Sequence, residues 1–376
     1  MTPTIRESSL AKGAAGIALL HIERAAAGRG TWEAAHTWLT RCVEGGLSTS
    51  PTTGLFYGAP AAAFAVHTAA IHTGRYQGTL DTIHAAVTET TKRRLDTAHA
   101  RIDRGERPDF FEFDLIYGLT GLGTYFLRSS PDGDTTRRIL VYLTRLTKPL
   151  PDSTPGWWTG LAPSGQPSPD YPGGHANFGM AHGITGPLAL LALAWRAGIT
   201  VPGHLDAIAR ICTWLDTWRQ DSDHGLWWPE VITPAEAATG TTRQQRPLRP
   251  SWCYGTPGIA RAQQLAAIAT RDPVRQHIAE AALLACLTEP EQHSQITDHT
   301  LCHGSAGLFQ AAWRTATDSS TPTIREHLAS LGDQIPDTSP PDSEPGLLEG
   351  AAGVALARHT ASTGTITDWD ACLLLA

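Results

Sequence analysis

The 376-residue sequence has few charged residues and no long run of lysine or arginine. Charged residues make up 17% of the chain, and the net charge at neutral pH is -7. This balance argues against a dominant phosphate-binding surface, so we expect no nucleic-acid partner. Hydrophobic residues make up 41%, which is enough to bury a large core and is not typical of a disordered protein.

Long apolar runs are also absent from the sequence. The longest, from Pro187 to Trp195, is too short to cross a bilayer, and the start MTPTIRESSLAKGAAG lacks the apolar stretch of a signal peptide. Six cysteines spread over this length do not form the dense framework of a secreted disulfide scaffold. We therefore expect a soluble, cytoplasmic protein without a transmembrane segment.

One short glycine motif, by contrast, occurs seven times. The copies include KGAAGIALL from Lys12, HGITGPLAL from His182 and HGSAGLFQA from His303, and their first glycines are residues 13, 58, 118, 183, 255, 304 and 350. The spacing runs from 45 to 72 residues. A seven-bladed propeller has repeats of similar length, so the periodicity between the motifs must decide.

The periodicity favours helices. After each motif comes an alanine-rich apolar stretch such as PLALLALAWRAG, which predicts a buried inner helix. Amphipathic stretches lie between them and predict outer helices that begin near Thr31, Thr79, Asp134, His204, Asp272, Thr323 and Thr365. Seven inner and seven outer helices can form an open superhelix or a closed double ring. The low charge of the inner set favours closure, so we predict an all-α fold, an α/α toroid, as a single domain over residues 1–376.

Equivalent positions of the copies can be compared. The residue just before the first glycine is polar or hydrogen-bonding in every copy: Lys12, Tyr57, Tyr117, His182, Tyr254, His303 and Glu349. The residue before that is a cysteine in two adjacent copies, Cys253 and Cys302. If rotation about the ring axis relates the copies, these side chains meet at one mouth of the ring. Cys253, Cys302 and His303 then lie together.

Two thiolates and an imidazole are ligands that zinc prefers. Three protein ligands leave the fourth tetrahedral position open, as in catalytic sites, so Cys253, Cys302 and His303 predict one zinc ion per chain. The alternative is that both cysteines are buried at helix starts and that His303 is a hydrogen-bonded neighbour. Their equivalent repeat positions favour the metal. The remaining cysteines are interpreted as core residues: Cys42, Cys212, Cys286 and Cys372.

The seven glycine motifs, together with NFGMAHGITG from Asn177, RPSWCYGTPG from Arg249 and LCHGSAG from Leu301, resemble the lanthionine synthetase C family over essentially the whole chain. The resemblance implies a toroid with one zinc. It implies a cyclase that adds a peptide cysteine thiol to dehydroalanine or dehydrobutyrine and so forms a thioether ring. Its zinc ligands fall on Cys253, Cys302 and His303, and its further active-site residues fall on Asp114, His182, Arg249, Trp252 and Tyr254.

No dehydratase region precedes the first copy, so the sequence resembles the stand-alone cyclases. The implied substrate is a dehydrated precursor peptide, and a lanthipeptide dehydratase is the further partner implied. In this chemistry His182 is the candidate acid that protonates the α-carbon. Asp114 could orient His182, accept the thiol proton or only cap a helix. Arg249 could stabilise the enolate, hold Asp114 or lie on the surface.

Residues just upstream of the second cysteine motif stay outside the predicted site. Asp298 and His299 could orient a zinc ligand or lie in solvent. Two loop regions, 151–174 and 220–250, each carry a pair of tryptophans. These pairs could form a peptide-binding rim or fill gaps between outer helices.

Two rival functions are open. A prenyltransferase-like toroid enzyme also uses zinc to activate a peptide thiol, but it needs a basic patch for diphosphate, and lysine and arginine do not cluster near the motifs. A helical-repeat scaffold with structural zinc requires a fourth protein ligand, for which His182 is the candidate.

Overall fold

Each glycine motif marks the start of a buried helix in the computed structural model, which describes residues 7–223, 225–319, 321–338 and 343–376. In six copies the first glycine is the residue that caps the helix N-terminus, and in the fourth copy the helix begins two residues after Gly183. These predicted inner helices are Ala14–Ala26, Ala59–Thr73, Leu119–Ser129, Thr185–Arg196, Thr256–Thr270, Ser305–Asp318 and Ala351–Thr363.

The second glycine of a copy lets the first helical turn pack against the segment before it. A Cβ atom at Gly258 would lie 2.1 Å from the carbonyl oxygen of Trp252, and one at Gly307 would lie 2.1 Å from that of Leu301. No side chain fits at these distances, so glycine is required by the close approach of two backbones.

The seven copies close into a ring. Every inner helix contacts the inner helix of the next copy, and the last contacts the first. Seven backbone hydrogen bonds join the segments just before the glycines in a circle, from amide to carbonyl: Leu10 to Phe56, Phe56 to Ile116, Leu115 to Ala181, Ala181 to Cys253, Cys253 to Cys302, Cys302 to Leu348 and Leu348 to Ala11. The predicted closed toroid is therefore confirmed.

Amphipathic outer helices pack on the inner ring, each against the inner helix that precedes it. Their bounds are Trp32–Glu44, Gln77–Asp103, Asp134–Leu146, His204–Trp218, Pro273–Thr288 and Thr323–Asp333. Short helices connect the layers at Phe110–Phe113, Pro234–Thr239 and Pro290–His293. Within the described ranges, no helix combines the length and the apolar character needed to cross a membrane.

The prediction of a seventh outer helix from Thr365 is wrong. This stretch forms a 3-10 helix at Trp369–Leu373, and all five of its residues are buried. An outer helix keeps a polar face in water, whereas here even Asp370 is fully buried and accepts hydrogen bonds from Gln310 and Arg314. The ring therefore has seven inner helices and six outer ones among the described residues.

The segment after Thr365 instead enters the centre of the ring. Its amides at Ile366 and Thr367 donate to the buried carboxylate of Glu23 in the first inner helix. The side chain of Arg261, in the fifth inner helix, donates to the carbonyl of Leu375. Because it binds inner helices on different sides of the ring, the segment fills the interior that they enclose.

The short strands lie within the second loop region and just after the first. Gln220–Ser222 pairs with Gly225–Trp227 in a hairpin, and Ala176–Asn177 pairs antiparallel with Val231–Ile232. The four loop tryptophans are all buried, with 1–3% of their surface exposed: Trp157, Trp158, Trp227 and Trp228. They fill gaps in the packing, so the interpretation of these side chains as a peptide-binding rim is wrong.

Candidate metal centre and active site

The residues just before the first glycines meet at one mouth of the ring, as the repeat predicts. The contacts between neighbouring copies are an ion pair of Lys12 with Glu349 at 3.1 Å and ring contacts in the pairs Tyr57–Tyr117, Tyr117–His182 and His182–Tyr254. The side chains converge because each motif places the equivalent repeat position at the N-terminal end of its inner helix.

Cys253, Cys302 and His303 come together at this mouth. One potential ligand atom of each residue lies within 4.8 Å of the other two, and the amide of Cys253 donates to the carbonyl of Cys302 at 3.2 Å. Ligands that bind one zinc at about 2.0–2.3 Å lie up to about 4.6 Å from each other, which is close to the 4.8 Å within which these three atoms lie. The observed spread therefore fits one ion. Among the described residues, no fourth histidine, cysteine or carboxylate belongs to the cluster.

The two thiols interact strongly with each other. The Cys302 thiol donates to the Cys253 sulfur, which holds the pKa of Cys253 well below its usual value and raises the pKa of Cys302 well above its own. The contact with Cys253 also raises the pKa of His303. A thiolate buried beside a second sulfur and an imidazole is the donor set that a zinc ion neutralises.

Asp298 contacts this cluster, although it stands outside the site predicted from the sequence. Its Oδ2 lies 3.3 Å from Nε2 of His303 and 3.8 Å from a guanidinium nitrogen of Arg249, and its Oδ1 accepts from the amide of Thr300 at 2.8 Å. The position of Asp298 in the repeat could have indicated that it belongs to the site. Asp298 and Arg249 both stand six residues before the first glycine of their copies, and this position is polar in all seven.

His182 and Asp114 form a pair beside the metal cluster. Nδ1 of His182 lies 2.6 Å from Oδ2 of Asp114, and the Asp114 side chain is fully buried. Tyr117 stacks on one side of the imidazole at 6.3 Å, and Tyr254 lies on another at 6.1 Å. His182 keeps a quarter of its side-chain surface exposed, so it can reach a ligand at the mouth.

Asp114 has two separate contacts, one for each carboxylate oxygen. While Oδ2 faces His182, Oδ1 accepts from the amides of Tyr117 and Gly118 at 2.7 and 2.6 Å. Capping of this kind recurs at the same repeat position, where the hydroxyl of Ser251 accepts from the amide of Gly255. Asp114 therefore caps the helix and contacts His182 at the same time, and both of these predicted interpretations apply.

The other three predicted site residues, Tyr254, Trp252 and Arg249, lie in different surroundings. Tyr254 is partly buried beside His182, and burial raises the pKa of its hydroxyl well above the usual range. Trp252 is fully buried, and its indole donates to the carbonyl of Leu373 at 2.9 Å. Trp252 thus faces the interior segment and offers no surface to a ligand at the mouth. Arg249 lies beside Asp298, about one-third exposed.

The four cysteines interpreted as core residues are buried and free. Burial raises the pKa of Cys42 to about 12, of Cys212 to about 11 and of Cys286 to about 12, and it raises that of Cys372 further. Raised pKa values keep these thiols protonated, and a protonated thiol is a poor metal ligand. Their prediction as core residues is confirmed.

Comparisons with known proteins agree with the fold. The model of the family described as lanthionine synthetase C-like protein matches residues 4–374. The nisin biosynthesis protein NisC of Lactococcus lactis subsp. lactis is 24% identical over 310 residues, which is 80% of this chain and 72% of that protein. A solved structure of nisin cyclase superposes with a TM-score of 0.84 at 21% identity, covering 99% of this chain and 93% of that chain. The chain therefore belongs to the lanthionine synthetase C-like family.

Proposed function

We propose that this protein is a lanthipeptide cyclase. It adds the thiol of a peptide cysteine across the double bond of a dehydroalanine or dehydrobutyrine in a dehydrated precursor peptide. The observation that carries the proposal is that a three-ligand cluster and a hydrogen-bonded pair of the partly exposed His182 with the buried Asp114 lie in adjacent copies at one mouth. A lanthipeptide dehydratase is the class of enzyme that must supply the substrate.

Cys253, Cys302 and His303 are the residues that would hold one zinc per chain. Bound zinc lowers the pKa of a coordinated thiol, so the substrate cysteine would be available as a thiolate at neutral pH. Asp298 holds His303 through Nε2 and so fixes the orientation of the imidazole. Free thiolate ligands require a reducing compartment, and we therefore place the enzyme in the cytoplasm.

His182 moves the proton in this reaction. When the sulfur bonds to the β-carbon, electron density shifts to the carbonyl oxygen of the dehydro residue, and the α-carbon must then gain a proton. Since Nδ1 faces Asp114, Nε2 of His182 is the nitrogen that can deliver it. The proton lost by the substrate thiol balances the proton gained at carbon, so the mass of the peptide does not change.

Asp114 and Arg249 support these steps. Asp114 is fully buried with both oxygens engaged, so it orients His182 and does not touch the substrate. The guanidinium of Arg249 lies 3.8 Å from Oδ2 of Asp298, which in turn lies 3.3 Å from His303, so its positive charge stands beside the metal cluster. We assign it to stabilisation of the oxyanion. Tyr254 packs against His182 and limits its rotation, and Trp252 anchors the segment that carries Cys253.

The geometry disfavours the rival functions. A closed structural zinc site needs a fourth ligand, but Nδ1 of His182 is held by Asp114, and within the described residues only three ligands form the cluster. A prenyltransferase needs several free cations for a diphosphate, whereas Arg249 beside the cluster already has Asp298 as its ion-pair partner.

The proposal is tested with a synthetic peptide that carries one dehydroalanine and one cysteine. The peptide is incubated with zinc-loaded protein, remaining thiol is trapped with N-ethylmaleimide, and mass spectrometry counts the adducts. We expect the unlabelled product at unchanged mass to accumulate faster than without protein. A peptide with serine in place of dehydroalanine should stay fully labelled. If the unlabelled product accumulates no faster with the protein than without it, the proposed function is refuted.

A further inference from the structure

A cavity lies beside the His182–Asp114 pair, on the side away from the metal cluster. Its volume is about 560 Å³, within the range of about 300–1,000 Å³ that small-molecule sites occupy. Tyr57 and Tyr117 stack on each other at 5.2 Å and form one wall, and Phe111 meets Tyr117 edge-on at 5.1 Å. Tyr117 also stacks on His182, so its ring lies between the cavity and the proposed active site and contacts both.

The polar groups that line the cavity are already engaged. The guanidinium of Arg94 donates to the carbonyls of Thr53, Tyr117 and Phe111 at 2.7, 2.8 and 3.1 Å. The carboxylate of Glu112 accepts from Arg101 and from a tyrosine hydroxyl. These groups have contacts within the protein, so the surface left for a ligand is mainly aromatic.

Arg94 also fixes the shape of the cavity. The carbonyl of Thr53 precedes the second glycine motif and those of Phe111 and Tyr117 precede the third, so Arg94 joins two parts of the chain that both line the cavity. A side chain held by three such bonds keeps the walls in place before a ligand arrives, which reduces the entropy lost on binding. The cavity is therefore preorganised and apolar.

Resting on the proposed function, we propose that this cavity binds an apolar side chain of the precursor peptide. The ring centroid of Tyr57 lies 5.2 Å from that of Tyr117, which lies 6.3 Å from that of His182. An extended peptide covers this path in about three to four residues at about 3.3 Å per residue. The bound side chain thus belongs to a residue about three or four positions from the dehydro residue, on the side away from the reacting cysteine.

The test uses two nonapeptides that differ only at the third residue, leucine or the near-isosteric asparagine, with dehydroalanine sixth and cysteine ninth. Burial of a leucine side chain predicts a kcat/KM about 10–100-fold higher for the leucine peptide. In the variant Thr52→Trp, a large ring at the exposed rim of the cavity should reduce this preference to less than about threefold. Thr97→Trp, on the exposed face of an outer helix, should leave the preference unchanged.

Binding is measured separately with unreactive analogues that carry serine in place of dehydroalanine. Here too the leucine peptide should bind at least about tenfold more tightly than the asparagine peptide. Equal binding and equal kcat/KM for the two peptides would overturn the cavity proposal while ring formation still upheld the proposed function. Preferential binding of the leucine analogue without any ring formation would uphold the cavity and refute the cyclase.

Discussion

The substitution Asp114→Asn separates the two contacts of this buried carboxylate. Asparagine can keep the Oδ1 cap of Tyr117 and Gly118, but it places an amide NH2 opposite Nδ1 of His182. The imidazole then loses a charge-assisted hydrogen bond, worth about 1.5–3 kcal/mol, and its tautomer reverses. We expect kcat to fall by about 10²–10⁴-fold, since a positioned acid or base contributes about this factor and a reversed tautomer removes it.

The same change should have little effect on the rest of the protein. Because the cap is retained, the loss of unfolding free energy should not exceed about 1.5–3 kcal/mol, the contribution of the lost hydrogen bond to His182. Zinc content, measured by mass spectrometry of the metal, should match that of the wild type. The control Asp370→Asn changes another fully buried carboxylate, inside the ring, and should lower the melting temperature without lowering kcat.

The double variant Asp114→Asn with His182→Asn tests whether Asp114 acts through His182. If it orients the imidazole, the double variant should be no slower than His182→Asn alone, because the two residues act as a unit. Cyclisation is followed by trapping free thiol. If the losses in kcat of the two single variants multiply in the double variant, Asp114 acts independently of His182. If His182→Asn loses its zinc, His182 is a metal ligand.

The other predictions concern the metal and the ring interior. Cys302→Ala should reduce bound zinc to a small fraction, whereas Cys286→Ala should retain it, and equal loss in both would refute the ligand assignment. Asp298→Asn keeps its Oδ1 cap and should weaken zinc binding by about 10–100-fold in chelator competition, unlike the remote cap variant Asp272→Asn. Glu23→Ala leaves buried amides unpaired and should cost about 3 kcal/mol in chemical denaturation, with kcat unchanged in the folded protein.

Much of the fold could be predicted because the sequence repeats. The position before each glycine could be compared across seven copies, and the closed ring brings Cys253, Cys302 and His303 together as this comparison requires. A single domain over residues 1–376 stays a prediction, supported by one connected core that extends from Leu10 to Leu375.

The segment after Thr365 could not be placed from its sequence. Its pattern of apolar and acidic residues fits an amphipathic helix, but Asp370 is compensated by Arg314 and Gln310 from another copy. The local periodicity of a sequence cannot indicate a partner that is distant along the chain. Asp298 was missed for another reason: its polar position six residues before the glycine is visible in the repeat, but its function appears only when Arg249 of the adjacent copy lies beside it.

Stability and reactivity depend on different parts of the ring. The side chains at the mouth, such as His182 and His303, stand just before the helices and remain partly exposed. Glu23 and Asp370 instead hold the interior segment in place and are fully buried. Because a backbone hydrogen bond ties each copy to the next, a mouth residue can change without altering the ring. The exception is Trp252, whose indole binds the interior segment while the next residue, Cys253, lies in the metal cluster, so its loss should affect both stability and zinc affinity.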